Sequence, residues 1–290
     1  SMALGALFPK GIIREMHGED HEAYRGTLVR ALAGATALSV DDIARRAARQ
    51  VLGKLAESNT PDDPQQLTTA LNTIATNTLV EVFFGASTGT AEHSALVAGF
   101  DRLGPDGLVW VPKSAQEKAF AELCDRLWKV ADTSENGGGS SVLHRLAANG
   151  DLDATSLGNL IYMVEIGRFD VASLMRWLVK LAAENPSVLQ EIRSSHDHAD
   201  HTSPLSDAFV LETLRLHQSE RLMRIALEDL SFDGYHVPKH TVVRLCLWES
   251  HKDPETFEDP FRFDPRRFVD ENYTSDQYAP FGLGRRRCPA

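Results

Sequence analysis

The chain has 290 residues, of which 42% are hydrophobic and 24% charged, the balance of a soluble globular protein. Its net charge of -11 argues against a nucleic-acid-binding protein, because such proteins carry a basic face. No apolar run is long enough to span a bilayer, so no membrane is expected as a partner, and the first residues do not form a secretory signal. Three cysteines at irregular spacing argue against a disulfide framework, so a reducing cytoplasm is the expected location.

Apolar residues at three-and-four spacing predict helices through most of the chain. The predicted helices are residues 21–32, 41–55, 66–84, 114–131, 141–148, 155–184 and 206–216. The longest of them, 155–184, is apolar on more than one side and is therefore expected to pass through the middle of the fold.

Short β-rich runs follow at residues 224–230, 235–237 and 242–247, separated by Gly234 and Pro238. Residues 251–290 have no periodicity, and an irregular segment of this length and aromatic content indicates a function. We therefore predict one domain over residues 1–290, mainly α with a small β-rich part. Residues 3–216 would be mainly helical, and residues 217–290 would hold the strands, a meander and a terminal loop.

The most specific motif is the terminal loop, from Phe281 to Ala290, which contains Gly284, Arg286 and Cys288. Glycines give such a loop the backbone freedom to turn a sulfur towards a metal, and nearby cations stabilise a thiolate. The loop resembles the heme-binding pattern Phe-x-x-Gly-x-Arg-x-Cys-x-Gly of cytochromes P-450, with alanine in place of the last glycine. The resemblance implies that Cys288 is the axial ligand of heme b (iron protoporphyrin IX) and that the other motif residues hold the cofactor. The alternative is a buried structural cysteine.

Three further residues resemble the family's contacts to the heme propionates. His21 and Arg25 are one helical turn apart and so point the same way, as in the family's His-x-x-x-Arg helix. Arg224 resembles the arginine on the strand that follows the Glu-x-x-Arg helix. Without the resemblance, His21 is more simply an ordinary surface histidine.

Glu212 and Arg215 resemble the Glu-x-x-Arg motif of the same family, and Arg267 resembles the second arginine of its Pro-x-Arg-Phe segment. The resemblance implies that these three side chains form a buried triad that locks the core on the heme side. Taken alone, a carboxylate and a guanidinium three residues apart on a helix are more often a solvated surface pair.

The long helix departs from the family at its oxygen-activating site, where P-450s have an acid followed by threonine. This chain has Gly167, Arg168, Phe169, Asp170 and Val171 there, and no threonine in either plausible register. Gly167 and Asp170 are predicted to line the distal side, where Asp170 could relay protons. Arg168 either binds a substrate carboxylate, as in peroxide-using members, or points away and pairs with a neighbouring acid.

The cluster of histidines and aspartates at residues 196–201 has metal-ligand residue types, but it lies in a polar loop that is more simply solvated. Cys246 follows strand spacing and is expected in the core. Cys124 lies on an amphipathic helix, and neither cysteine is expected to compete with Cys288 as a metal ligand.

The resemblance runs from about Gly18 to Ala290 and implies a P-450 fold that is incomplete at both ends. It also implies a monooxygenase that hydroxylates a small organic substrate in secondary metabolism, as a soluble bacterial-type member with a ferredoxin-type electron donor. Two alternatives stay open because of the missing threonine and the missing ends. One is a heme-thiolate peroxygenase, isomerase or dehydratase that needs no donor, and the other is a heme-free scaffold.

Overall fold

The computed structural model describes residues 10–36, 40–58, 60, 62–104, 114–133, 140–196, 203–217 and 222–289. The chain divides into two compact units, one formed by residues 1–173 with 289–290 and the other by residues 174–288. The single domain that the sequence suggests stays a prediction.

The first unit is helical throughout its regular structure. Its helices are α1 (Gly18–Thr36), α2 (Val40–Ala56), α3 (Pro64–Phe84), α4 (Ala91–Leu103), α5 (Ser114–Thr133), α6 (Val142–Ala148) and the first part of α7 (Ala154–Glu184). Helix α2 packs against α3, α4 against α5, and α1 against α6. The apolar faces of α1 and of α3 to α7 share one core, in which the rings of Phe84 and Phe100 stack at 5.9 Å.

Short polar residues set the starts of several of these helices. The carboxylate of Asp63 accepts the N–H of Gln65 at the start of α3, and the hydroxyl of Thr90 accepts the N–H of His93 at the start of α4. Helix α3 ends at Gly85, which has a φ of 75°, a left-handed conformation that glycine adopts without strain.

The second unit contains the rest of α7 together with α8 (Pro186–His196) and α9 (Pro204–His217). Its strands are β1 (Leu222–Ile225), β2 (Leu230–Phe232), β3 (Tyr235–Val237) and β4 (Val242–Leu245). Strand β1 pairs antiparallel with β4, and β2 pairs antiparallel with β3. Two short helices, α10 (Leu247–Ser250) and α11 (Arg267–Asp270), both contact α9.

All seven predicted helices are present, each within a few residues of its predicted bounds, and the mainly α fold class is confirmed. Helices α4 and α8 were not predicted. The buried residues of α4 do follow helical spacing, at positions 93, 96, 100 and 103, but Gly99 and His93 dilute the apolar pattern. The run predicted at 224–230 is divided between β1 and β2. No helix in the described ranges is both long and apolar enough to cross a membrane.

Candidate cofactor site

Cys288 lies at the end of a tight loop that is closed by its own backbone. A 3-10 turn, Gly284–Arg286, precedes Cys288. The N–H of Cys288 donates to the carbonyl oxygen of Phe281 at 2.8 Å. Gly282 and Gly284 have φ values of 75° and 63°, which other residues adopt only with strain. The loop therefore needs glycine at both positions in order to bring the cysteine back beside Phe281.

The loop exposes a thiol among apolar and cationic side chains. Cys288 is free and exposed, and Phe281 and Leu283 are 43% and 44% exposed. Arg286 is half-buried, while Arg285 and Arg287 are exposed. Such a surface suits a flat apolar ligand that carries a soft metal and anionic groups at its edge.

The donor set fits a metal that arrives with its own ligands. Among the described residues, no group of three or more histidine, cysteine or acidic side chains could hold a bare metal ion. One thiolate can nevertheless occupy one axial position of an iron that a porphyrin already holds. The residues present therefore fit a heme, whose iron Cys288 would bind.

In the unit that also contains Cys288, the structure brings the predicted Glu212, Arg215 and Arg267 together. The carboxylate of Glu212 accepts hydrogen bonds from Arg215 at 2.7 and 2.8 Å and from the Nε of Arg267 at 3.2 Å. Glu212 and Arg215 are fully buried. A buried ion pair costs desolvation energy, so it persists only where every donor and acceptor is satisfied.

The remaining donors of Arg215 bind the backbone of the irregular segment. Its Nη1 donates to the carbonyl oxygens of His251 at 2.8 Å and Pro260 at 2.7 Å, and its Nη2 donates to that of Arg262 at 3.2 Å. A charged residue of α9 thereby holds residues 251–262, which have little regular structure of their own. From the aromatic content of this segment we predicted a function. The sequence did not predict that its backbone carbonyls would bind Arg215.

The segment that leads into the loop is held by two residues without a predicted role. The hydroxyl of Tyr278 donates to the carbonyl oxygen of Leu211 at 2.7 Å, and burial raises the pKa of Tyr278. The Nε2 atom of His251 accepts the N–H of Ala279 at 3.1 Å. No spacing pattern marks either residue, because both contacts join positions far apart in the chain.

Comparison with known proteins agrees with this geometry. The family model described as Cytochrome P450 matches residues 172–289, the stretch that holds both the buried ion pairs and the thiol loop. In this stretch the chain resembles members of the cytochrome P-450 superfamily. Heme is the cofactor of this family.

The curated relatives include plant P-450s. CYP82J17 of Trigonella foenum-graecum is 35% identical over 158 residues, which are 48% of this chain and 30% of that protein. A probable (S)-N-methylcoclaurine 3'-hydroxylase isozyme of Coptis japonica is 29% identical over 71% of this chain and 45% of its own. The chain thus spans less than half the length of these two relatives. The bacterial type expected from the sequence stays a prediction.

Solved P-450 structures share the fold. A zebrafish P-450 with progesterone superposes with a TM-score of 0.75 at 18% identity, covering 94% of this chain and 71% of that one. The cyanobacterial CYP120A1 with retinoic acid has a TM-score of 0.75 at 20% identity, covering 99% of this chain and 71% of its own.

The predicted propionate contacts of this chain lie in different units. His21 is 5% exposed on α1, and Arg25 is half-buried one turn later, both in the first unit. Arg224 is half-buried on β1 in the second unit, which also contains Cys288, and its Nη1 donates to the carbonyl oxygen of Met223 at 2.9 Å. Their joint contact with a heme stays a prediction.

Arg168 pairs with a neighbouring acid, which is the second alternative considered from the sequence. Its guanidinium donates to both carboxylate oxygens of Glu165 at 2.9 and 3.2 Å, to Asp101 at 3.2 Å and to the carbonyl oxygen of Phe100 at 3.0 Å. Burial raises the pKa of Glu165 to about 7, although the facing guanidinium opposes that shift. These contacts of Arg168 are typical of a residue that stabilises the core.

The two other residues predicted for the distal side differ from each other in their surroundings. A Cβ added to Gly167 would lie 3.3 Å from Leu79 Cδ1, so glycine lets α7 approach α3 closely. Asp170 is exposed at the surface of α7. Their role towards a distal ligand stays a prediction.

The remaining candidates lie apart from the thiol loop. Of the polar cluster at 196–201, the described residues include only His196, the last residue of α8. Cys124 is half-buried, and burial raises the pKa of its thiol to about 12. The expectation that Cys246 lies in the core is wrong, because β4 ends at Leu245 and leaves Cys246 exposed before α10.

Proposed function

We propose that this chain binds heme b through Cys288 and acts as a monooxygenase that hydroxylates a small organic substrate. The observation that carries the proposal is the exposed thiol of Cys288 in a loop closed by its own backbone. Relatives that are named as hydroxylases support the reaction class. The plant synthases and hydroxylases among the relatives also support a place in secondary metabolism.

The residues of the loop and its support have separable tasks. Cys288 supplies the thiolate, and Gly282 and Gly284 allow the turn that presents it. Arg286 adds positive charge that offsets anionic groups at the edge of the cofactor. Glu212 and Arg215 fix the backbone of the irregular segment that precedes the loop in the chain. When bound, the heme supplies the iron at which an oxidant is activated.

We also propose a soluble ferredoxin-type donor and a cytoplasmic location. The exposed guanidinium groups of Arg285 and Arg287 would attract an acidic electron-transfer protein, because complementary charge steers the encounter.

A reaction without an electron donor is the second candidate, and the composition of α7 favours it. Between Gly167 and Val171 the helix has an arginine and an aspartate but no threonine that could pass protons to bound dioxygen. A peroxygenase, or an isomerase or dehydratase, needs no such relay.

The absorption spectrum of the reduced carbon-monoxide complex tests the proposal. We expect the band of thiolate-ligated heme that gives the family its name, and we expect its loss in Cys288→Ala but not in the matched variant Cys246→Ala. A chain that takes up no heme would instead act as a heme-free scaffold. Turnover with dioxygen and a reductase, compared with turnover on peroxide alone, separates the first candidate from the peroxygenase.

A further inference from the structure

His251 is hydrogen-bonded both to the buried Arg215 and to the segment that enters the thiol loop. The residue is 1% exposed just after α10. Its carbonyl oxygen accepts the Nη1 donor of Arg215 at 2.8 Å, and its ring Nε2 accepts the N–H of Ala279 at 3.1 Å. One residue therefore receives a hydrogen bond from α9 and one from the segment that enters the loop.

Ala279 continues this path towards Cys288. Its carbonyl oxygen accepts the N–H of Gly282 at 3.0 Å, and the carbonyl oxygen of Phe281 accepts the N–H of Cys288 at 2.8 Å. Hydrogen bonds thus connect Arg215 to His251, His251 to Ala279, and Ala279 to Gly282. Gly282 is bonded covalently to Phe281, whose carbonyl oxygen accepts the N–H of the cysteine. Each step fixes the backbone that the next one uses.

The ring of His251 is held in the neutral tautomer that is protonated on Nδ1, because only this neutral tautomer can accept a hydrogen bond at Nε2. An acceptor at Nε2 requires the proton on Nδ1, and Nδ1 is buried without a hydrogen-bond partner among the described residues. Burial, together with the charges of Lys252 and Arg215, lowers the pKa of His251 to about 4, so the ring stays neutral at physiological pH. The ring also packs against Phe257 and Tyr278, with centroids 6.4 and 5.1 Å away.

An unpaired buried donor has a cost, so a phenylalanine would fill this space at least as well if packing were the only requirement. The acceptor at Nε2 is what a phenylalanine lacks. We propose that His251 is a positioning residue for the Cys288 ligand, acting through its hydrogen bond to the N–H of Ala279. This inference rests on the proposed heme-thiolate function and adds a residue to it.

Hydrogen–deuterium exchange at the Ala279 amide tests the first half of the inference without heme. His251→Phe keeps the ring volume and removes the acceptor, so exchange at Ala279 should become roughly tenfold faster. His251→Gln places an amide oxygen three bonds from Cβ, as Nε2 is, and should keep exchange within about twofold of the original. The exposed His236→Phe is the control for the same substitution elsewhere in the unit.

The carbon-monoxide spectrum tests the second half. His251→Phe should reduce the fraction of thiolate-ligated heme several-fold, His251→Gln should restore most of it, and His236→Phe should not change it. Tyr278→Phe removes the neighbouring hydrogen bond to Leu211 and shows what the loss of one anchor does without the imidazole.

The inference is overturned if His251→Phe exchanges and ligates like the original chain, or if a folded His251→Gln loses as much as His251→Phe. If His251→Phe does not fold, the test rests on His251→Gln. Slow exchange at the Ala279 amide in that variant supports the inference, and fast exchange overturns it. Failure of the original chain to form thiolate-ligated heme would contradict the proposed function. The exchange result would still show whether His251 anchors the loop.

Discussion

Glu212 and Arg215 face each other on α9 through two hydrogen bonds of 2.7 and 2.8 Å, and neither side chain is exposed. The same guanidinium donates to three backbone carbonyls of the irregular segment. A single arginine therefore satisfies a buried carboxylate and also holds the chain that leads to the thiol loop.

Arg215→Met should lower the free energy of unfolding by about 3–5 kcal/mol, because it removes the two-bond ion pair and leaves the Glu212 carboxylate buried, with Arg267 as its remaining ion-pair partner in the described part of the chain. Denaturant unfolding followed by circular dichroism measures the change. Lys180→Met is the matched control, since its pair with Glu184 is exposed and worth about 0.5 kcal/mol or less. Equal effects of the two variants would contradict this account.

The three thiols should differ in their reaction with an alkylating reagent. Cys246 and Cys288 are exposed, whereas Cys124 is half-buried with its pKa raised from 9.0 to about 12. The thiolate fraction of Cys124 at neutral pH is therefore roughly a thousandfold below that of an ordinary thiol. Mass spectrometry of partly alkylated apo-protein should show two fast sites and one slow site, and fast labelling of Cys124 would refute the expected burial.

Acid should lower the free energy of unfolding of the second unit, because the buried ring of His251 resists protonation. The folded pKa is about 4 against 6.5 for the free side chain, so the unfolded state binds the extra proton between these values. The stability contributed by the neutral ring is full above pH 6.5 and is lost as the pH falls towards 4, by about 3 kcal/mol in all.

The comparison of the original chain with His251→Gln isolates this effect. Glu165 acts in the opposite direction, because its raised pKa removes stability as the pH rises from 4.5 to about 7. Unfolding should therefore be measured for both chains at pH 7 and pH 4. The stability difference between them should shrink or reverse at the lower pH, and a difference independent of pH would count against the neutral imidazole.

Gly99→Ala should destabilise the first unit by about 1–3 kcal/mol, since a Cβ there would lie 2.5 Å from Leu123 Cδ2 of α5. Gly53→Ala on α2 is the control. No atom lies within 4 Å of its added Cβ, so alanine should be neutral or stabilise by up to about 1 kcal/mol. Thermal unfolding of both variants compares them, and a neutral Gly99→Ala would show that α4 and α5 are not held this close.

The residues of the buried ion pairs were predicted only from the family resemblance, but local sequence patterns were enough to predict the helices with strong periodicity and the thiol loop around Cys288. These features depend on local spacing, because a helix repeats every 3.6 residues and the loop needs glycines and cations at fixed positions. Helix α4 was missed because Gly99, which the close contact with Leu123 requires, interrupts its apolar pattern.

Packing between distant segments supplies many of the partners of the charged and buried groups. Arg168 pairs with Glu165, which is close in sequence, but it also bonds to Asp101 and to the carbonyl oxygen of Phe100, which lie 67 and 68 positions away in the chain. The contact of His251 with Ala279 spans 28 positions and follows no repeat. Such contacts arise from packing between segments that are distant in sequence, so local spacing carries no signal for them.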